Sequence, residues 1–214
     1  GVLNLKTLTL TPHDPTQRFT YCAPVPYDPE ADYSAWETWL SNELKHSDMP
    51  GAMRYFKAAC GYWITGETRE EAFFHIHGRP RAGKGTLVET VAAAIGDVLA
   101  VTVDYSTFAK DREKGDQGFD LAGLRGARLV VAEEPKKTTR LNASSVKNWT
   151  GGGMIRAAFK GYDAFSYKPI FKAALISNFP LNTDGADDAL FDRVHVWEFL
   201  HSYAGREDVT RKEN

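Results

Sequence analysis

Gly78-Arg79-Pro80-Arg81-Ala82-Gly83-Lys84-Gly85-Thr86 is the stretch on which the fold turns. An apolar run, Phe73-Phe74-His75-Ile76-His77, enters it. A helical pattern leaves it from Thr86 to Ile95, with Leu87, Val88, Val91, Ala94 and Ile95 on one side and Gly96 as a stop. Strand, glycine-rich loop, lysine and helix, in that order, make a cradle for phosphate. Gly78 and Gly83 permit backbone conformations closed to other residues, so the loop amides can turn toward phosphate oxygens. The helix behind adds its positive N-terminal end, and Lys84 adds a point charge for the β- and γ-phosphates. Gly78, Gly83, Lys84, Gly85 and Thr86 are therefore the candidate nucleotide-binding residues. A plain glycine turn with an exposed lysine would lack the flanking strand and helix. One position departs from the common pattern. A Ser or Thr directly after the lysine normally offers its hydroxyl to Mg²⁺. Gly85 stands there, and the hydroxyl follows at Thr86, nearer the α-phosphate region. Magnesium is then left to water and to acidic residues elsewhere.

Working outward, Leu129-Val130-Val131-Ala132 is a continuous apolar run that suits a strand buried on both faces. It ends in Glu133 and Glu134. In phosphate-loop folds the strand beside the loop ends at the nucleotide, so one carboxylate can hold magnesium through water and the other can polarise the attacking water. Both glutamates are candidate metal and catalytic residues, with Glu134 assigned to the water. Phe171 to Ile176 is a third run and leads into Ser177-Asn178-Phe179-Pro180. Asn178 can donate to a γ-phosphate or orient the lytic water without an opposing charge; the competing reading is a turn before proline. Val194 to Phe199 is a fourth run, preceded by Arg193. That guanidinium can neutralise charge on the nucleotide of a neighbouring subunit, or pair locally with Asp188 or Asp192. Strands alternating with helical stretches imply an α/β fold with a mostly parallel sheet flanked by helices.

Residues 1–70 differ in character. Pro12, Pro15, Pro24, Pro26 and Pro29 mark an opening of extended segments and turns. Trp36, Trp39, Leu40 and Leu44 then predict an amphipathic helix, Met49-Pro50-Gly51 breaks it, and residues 52–65 predict a second helix ending near Gly61. The expected division is a small accessory region over 1–70 and a nucleotide-binding domain over 71–214. Gly1 in place of Met reads as an excised or processed segment.

The 214 residues carry 26 Lys+Arg against 28 Asp+Glu, a net charge of -2. Binding to nucleic acid by bulk positive charge is excluded, so any such contact is local. No apolar run is long enough to span a membrane, and no secretory signal opens the chain. Cys22 and Cys60 are too few for a disulfide framework or zinc cluster and read as reduced, intracellular thiols. His75 and His77 alternate on one strand face without a third ligand at suitable spacing, so they and His195 read as packing residues.

Phosphate loop, acidic strand end, Asn-terminated strand and arginine before the last strand together resemble a superfamily 3 helicase, more closely the phage/plasmid primase–helicases of poxvirus type, in the AAA+ class of P-loop NTPases. The likeness extends to Leu3-Asn4-Leu5-Lys6-Thr7, Pro12-His13-Asp14-Pro15, Tyr27-Asp28-Pro29-Glu30-Ala31 and Gly61-Tyr62-Trp63-Ile64-Thr65-Gly66 upstream. Downstream it includes Lys147-Asn148-Trp149-Thr150-Gly151-Gly152-Gly153 and Lys168-Pro169-Ile170-Phe171-Lys172. The resemblance implies hydrolysis of ATP with Mg²⁺, and a ring, usually of six copies, around single-stranded or forked DNA. Lys84, Thr86, Glu133, Glu134 and Asn178 would act from one subunit and Arg193 from the next. It places a DNA-contacting hairpin between Thr150 and Lys168, with Arg156, Lys160 and Lys168 as phosphate contacts and Phe159, Tyr162, Phe165 and Tyr167 interleaved. It also implies a primase or polymerase domain elsewhere in the full-length protein, and the cytoplasm of a bacterial host if phage- or plasmid-encoded. The chain departs from the family pattern at Gly153 (Asp in the family), Ala158 (Arg) and Asp192 (the second arginine of a pair). Two other readings compete. The loop also resembles adenylate kinase loops, although those carry Gly where Arg81 stands and lie near the chain start. A ring or scaffold that binds ATP without turnover is the third.

Overall fold

The computed structural model describes residues 1–44, 51–109, 119–133, 140–183 and 187–203. The chain opens with an antiparallel hairpin, β1 (Val2–Asn4) and β2 (Thr9–Thr11). A short 3-10 turn at Pro15–Gln17 and extended chain lead to α1 (Ser34–Leu44). Helix α2 (Ala52–Trp63) runs two residues past Gly61, because Trp63 is drawn wholly into the core. Then come β3 (Phe73–Gly78), α3 (Lys84–Ile95), β4 (Ala100–Asp104), α4 (Phe119–Ala122) and β5 (Leu129–Glu133). Helix α5 (Ala143–Thr150), the antiparallel pair β6 (Ile155–Ala157) and β7 (Phe165–Tyr167), β8 (Lys172–Ser177), α6 (Asp188–Phe191) and β9 (Val194–Phe199) complete the order. The sequence predicts α3 from Thr86; it begins at Lys84, because Gly83 makes the turn into it.

Five strands form one sheet in the order β4-β5-β8-β3-β9, and every neighbouring pair is parallel. The expected α/β fold with a parallel central sheet is the observed one. Strand β8, not β5, lies beside β3, so the Asn-terminated strand separates the loop strand from the acidic one. Because all five run the same way, Gly78, Glu133, Ser177 and Phe199 finish on one edge of the sheet.

Alternation along the strands explains why the apolar runs are continuous. Phe74, Ile76, Leu129, Val131, Ala174 and Ile176 face one core, with Leu40 of α1, Phe56 and Trp63 of α2, and Leu87 and Val88 of α3. Phe73, Val130, Ala132, Ala173 and Leu175 face the other, with Leu121, Val146, Trp149, Ile155 and Tyr167. Helices thus cover both faces, as a parallel sheet requires. Each fully buried Phe or Leu contributes about 1.5–3 kcal/mol relative to exposure. Helices α1 and α2, in the region read as accessory, pack into the same core as the sheet.

Candidate functional site

The phosphate loop joins β3 to α3. Gly78 holds φ +139° where the strand leaves the sheet, and a Cβ there would collide with the Phe199 carbonyl of β9. Gly83 holds φ +83° as the residue before α3, and a Cβ there would stand 2.7 Å from Trp39 Cζ2. Arg81 also has positive φ, +57°, a sparsely populated conformation for a residue with a side chain. No side chain caps α3, so the amides of its first turn remain available to an anion.

Lys84 is almost wholly buried. Its Nζ donates to the carbonyls of Gly78 (2.9 Å) and Arg79 (2.7 Å) and to Asn178 Oδ1 (3.0 Å). Burial pushes its pKa below the ordinary lysine value, while the charge of Glu133 pulls it back. A cavity of about 370 Å³ opens over the loop, lined by residues that include Gly83, Lys84, Gly85, Thr86, Glu89, Glu133 and Asn178. Parallel pairing explains this convergence: His77 pairs with Ser177, and Glu133 with Ile176, so the three strand ends are level. The structure therefore brings together Gly83, Lys84, Gly85, Thr86, Glu133 and Asn178, with Gly78 reached through Lys84. Glu134 lies outside the described residues.

Arg193 is not at this cavity. It precedes β9, and Val194 pairs with Phe73 at the far end of β3. Six residues of strand, at roughly 3.3 Å each, separate it from the edge that carries the loop. The guanidinium pairs with Glu71, and its Nη1 donates to the Ala189 carbonyl. Neither Asp188 nor Asp192 is its partner; Glu71, distant in sequence, is. Within one chain Arg193 cannot reach the loop.

Residues 155–167 do form a hairpin. Ile155 and Ala157 turn inward, and Arg156 turns outward opposite Ser166. Lys160 and Lys168 are also exposed. The four aromatic residues divide. The Tyr167 hydroxyl donates to the Leu121 carbonyl at 2.6 Å and is buried, and Phe165 is half-buried under Arg125. Phe159 and Tyr162 project into solvent, 51% and 78% exposed. These residues share no lining position with the loop cavity.

The histidines are packing residues. His75 is buried, its ring stacked on His77 at 5.0 Å. His195 accepts or donates a hydrogen bond with the Tyr55 hydroxyl and stacks on Phe74. Among the described residues no group of three or more potential ligands forms a metal cluster. No described helix is long and apolar enough to cross a membrane.

Sequence reasoning missed an outer brace on the loop. Trp39 of α1 lies against Gly83, the Ser202 hydroxyl donates to the Pro80 carbonyl at 2.8 Å, and the Tyr203 amide donates to the Arg81 carbonyl at 3.0 Å. The Tyr203 hydroxyl donates in turn to buried Glu43 of α1. These contacts join segments far apart in sequence and left no local signal.

A five-stranded parallel sheet flanked by helices, with a glycine-rich loop between β3 and α3, is a helicase-like NTPase fold. The chain belongs to a family described as a family of unknown function (DUF5906), which matches residues 76–193, and residues 1–43 match a segment described as D5 N terminal like. It is 28% identical over 175 residues to "Putative helicase L207/L206" of Acanthamoeba polyphaga mimivirus, covering 81% of this chain and 18% of that protein. It is 27% identical over 158 residues to "Putative helicase 022R" of Frog virus 3 (isolate Goorha), covering 72% and 16%. The chain thus spans less than a fifth of the length of these relatives. The solved A form apo structure of the NrS-1 C terminal region superposes with a TM-score of 0.60 at 17% identity, over 88% of this chain and 43% of that one. A second apo structure of that region gives 0.58 at 16%. At such identity the structures establish the fold. The matches agree with the resemblance to phage/plasmid-type primase–helicases drawn from the sequence motifs.

Proposed function

We propose that this chain is the ATP-hydrolysing motor segment of a replicative helicase, part of a longer primase–helicase that assembles as a ring, usually of six copies, and moves on single-stranded or forked DNA. One observation carries the reading: buried Lys84 is held by loop carbonyls and Asn178 beside Glu133, at the level ends of three parallel strands.

The residues present fit a magnesium-bound triphosphate. The uncapped start of α3, the positive-φ glycines and Lys84 suit phosphate oxygens. Glu133 and Asn178 are the oxygen donors that a hard cation and its waters accept. Bound there, ATP supplies the γ-phosphoryl group and its metal ion the charge that screens it. Lys84 exchanges carbonyl partners for phosphate oxygens. Asn178, already in contact with Lys84, is placed to feel the γ-phosphate and to orient water. Glu134 is the base for that water on sequence grounds. Arg193, at the far end of the sheet, serves the neighbouring subunit's nucleotide, which requires it to leave or share Glu71. Arg156, Lys160 and Lys168, exposed on or beside the hairpin, are the phosphate contacts for DNA, with the exposed rings of Phe159 and Tyr162 offering faces to bases.

The test is ATP hydrolysis with and without single-stranded DNA. The expected result is DNA-stimulated release of phosphate that Lys84→Ala abolishes. Turnover intact in Lys84→Ala would refute the site. Phosphoryl transfer to a nucleotide, indifferent to DNA, would instead favour a kinase, and binding without turnover a scaffold.

A further inference from the structure

Helix α3 carries a carboxylate that the motif does not account for. Glu89 lies one helical turn after Gly85, on the same face of α3. Helical side chains lean toward the N-terminus, so Glu89 leans back over Gly85. A Cβ at position 85 would stand 3.5 Å from Glu89 Oε1 and 3.9 Å from its Cδ. The carboxylate therefore borders the space that a hydroxyl-bearing side chain after the lysine would enter. It is exposed to solvent and lines the same cavity as Lys84, Thr86, Glu133 and Asn178. No ion pair holds it among the described residues.

A carboxylate at this place is a liability without a metal. Beside a triphosphate it repels; only a divalent cation between the two reverses the sign. We propose that Glu89 holds the nucleotide's magnesium ion, directly or through a bound water, in place of the hydroxyl that Gly85 lacks. The proposal rests on the nucleotide-binding reading above and adds to it a specific oxygen donor.

A metal-held Glu89 reverses its effect on nucleotide affinity with the metal, which a structural role would not produce. The full chain and Glu89→Gln are titrated with a fluorescent N-methylanthraniloyl ATP analogue in EDTA, in MgCl₂ and in MnCl₂, with bound Mn²⁺ followed by electron paramagnetic resonance. In EDTA the variant binds the analogue as tightly as the parent or more tightly, because a like charge has gone. With Mg²⁺ or Mn²⁺ it binds about tenfold more weakly than the parent, the usual scale for losing a group that supports a metal. Gly85→Ser restores the metal response of Glu89→Gln, since a Cβ at position 85 meets only ordinary contacts. A Glu89→Gln chain that gains as much affinity from Mg²⁺ as the parent overturns the proposal and leaves the nucleotide site intact. A double variant that stays at the Glu89→Gln level overturns the exchange of one group for the other. If the parent binds the analogue under no condition, the nucleotide reading fails first and takes this proposal with it.

Discussion

Lowering the pH from 7 to 5 is expected to weaken the fold through His75. Burial, then the charge of neighbouring His77, pushes its pKa down to about 4, against a smaller opposing effect of a hydrogen bond with the Phe179 backbone. In the unfolded chain the same imidazole titrates near 6.5. The unfolded state therefore takes up a proton below pH 6.5 that the folded state refuses until about 4. Stability is full above pH 6.5 and is lost as the pH falls through this window. The loss attributable to this group is about 2 kcal/mol at pH 5 and about 3 kcal/mol at pH 4. His77 and His195 are also pushed down by burial and add in the same direction. The assay is urea unfolding followed by the fluorescence of buried Trp63 and Trp197, at pH 7 and pH 5. With a slope of about 2 kcal/mol per molar urea, the His75 share moves the midpoint by about 1 M. His75→Leu removes the titration and shrinks the pH-dependent shift by that amount, whatever its own stability at pH 7. A His75→Leu chain that loses as much stability between pH 7 and pH 5 as the parent would refute the reasoning.

Other outcomes follow from the loop and the far arginine. Gly83→Ala places a Cβ 2.7 Å from Trp39 on a backbone at φ +83°, and is expected to cost about 1–3 kcal/mol in urea unfolding; an unchanged midpoint would contradict the packing of α1 on the loop. Arg193→Ala is expected to keep affinity for the ATP analogue while losing turnover. Mixed with Glu134→Ala, it is expected to recover part of the activity, because some interfaces then combine an intact Arg193 with an intact Glu134; no recovery would count against a shared site.

The legible parts of the fold were those with a one-dimensional signature. Strands β3, β5 and β8 are buried enough to read as apolar runs, edge strand β9 reads through its closely spaced Val194, Val196, Trp197 and Phe199, and the loop's glycines and Lys84 stand at fixed spacing. Strand β4 was not legible: it is an edge strand whose residues alternate between exposed and partly buried, and Thr102 and Asp104 break the run. Strand order was not legible either, since an apolar run does not say which neighbour it pairs with, and β8 came between β3 and β5. For the site, Lys84, Glu133 and Asn178 could be assigned to one place because parallel strands end together. The Glu71 partner of Arg193 and the brace from Trp39 and Tyr203 could not, because each joins residues distant in the chain. Glu89 had a faint local signal, a carboxylate one turn after the glycine that replaces the usual hydroxyl.

The most direct measurement is electron microscopy of the chain with a non-hydrolysable ATP analogue and single-stranded DNA. The account expects a closed ring, with the β- and γ-phosphates on Lys84 of one subunit and Arg193 of its neighbour turned toward the same γ-phosphate. A single copy whose phosphates are enclosed by its own residues, with Arg193 still on Glu71, would contradict it.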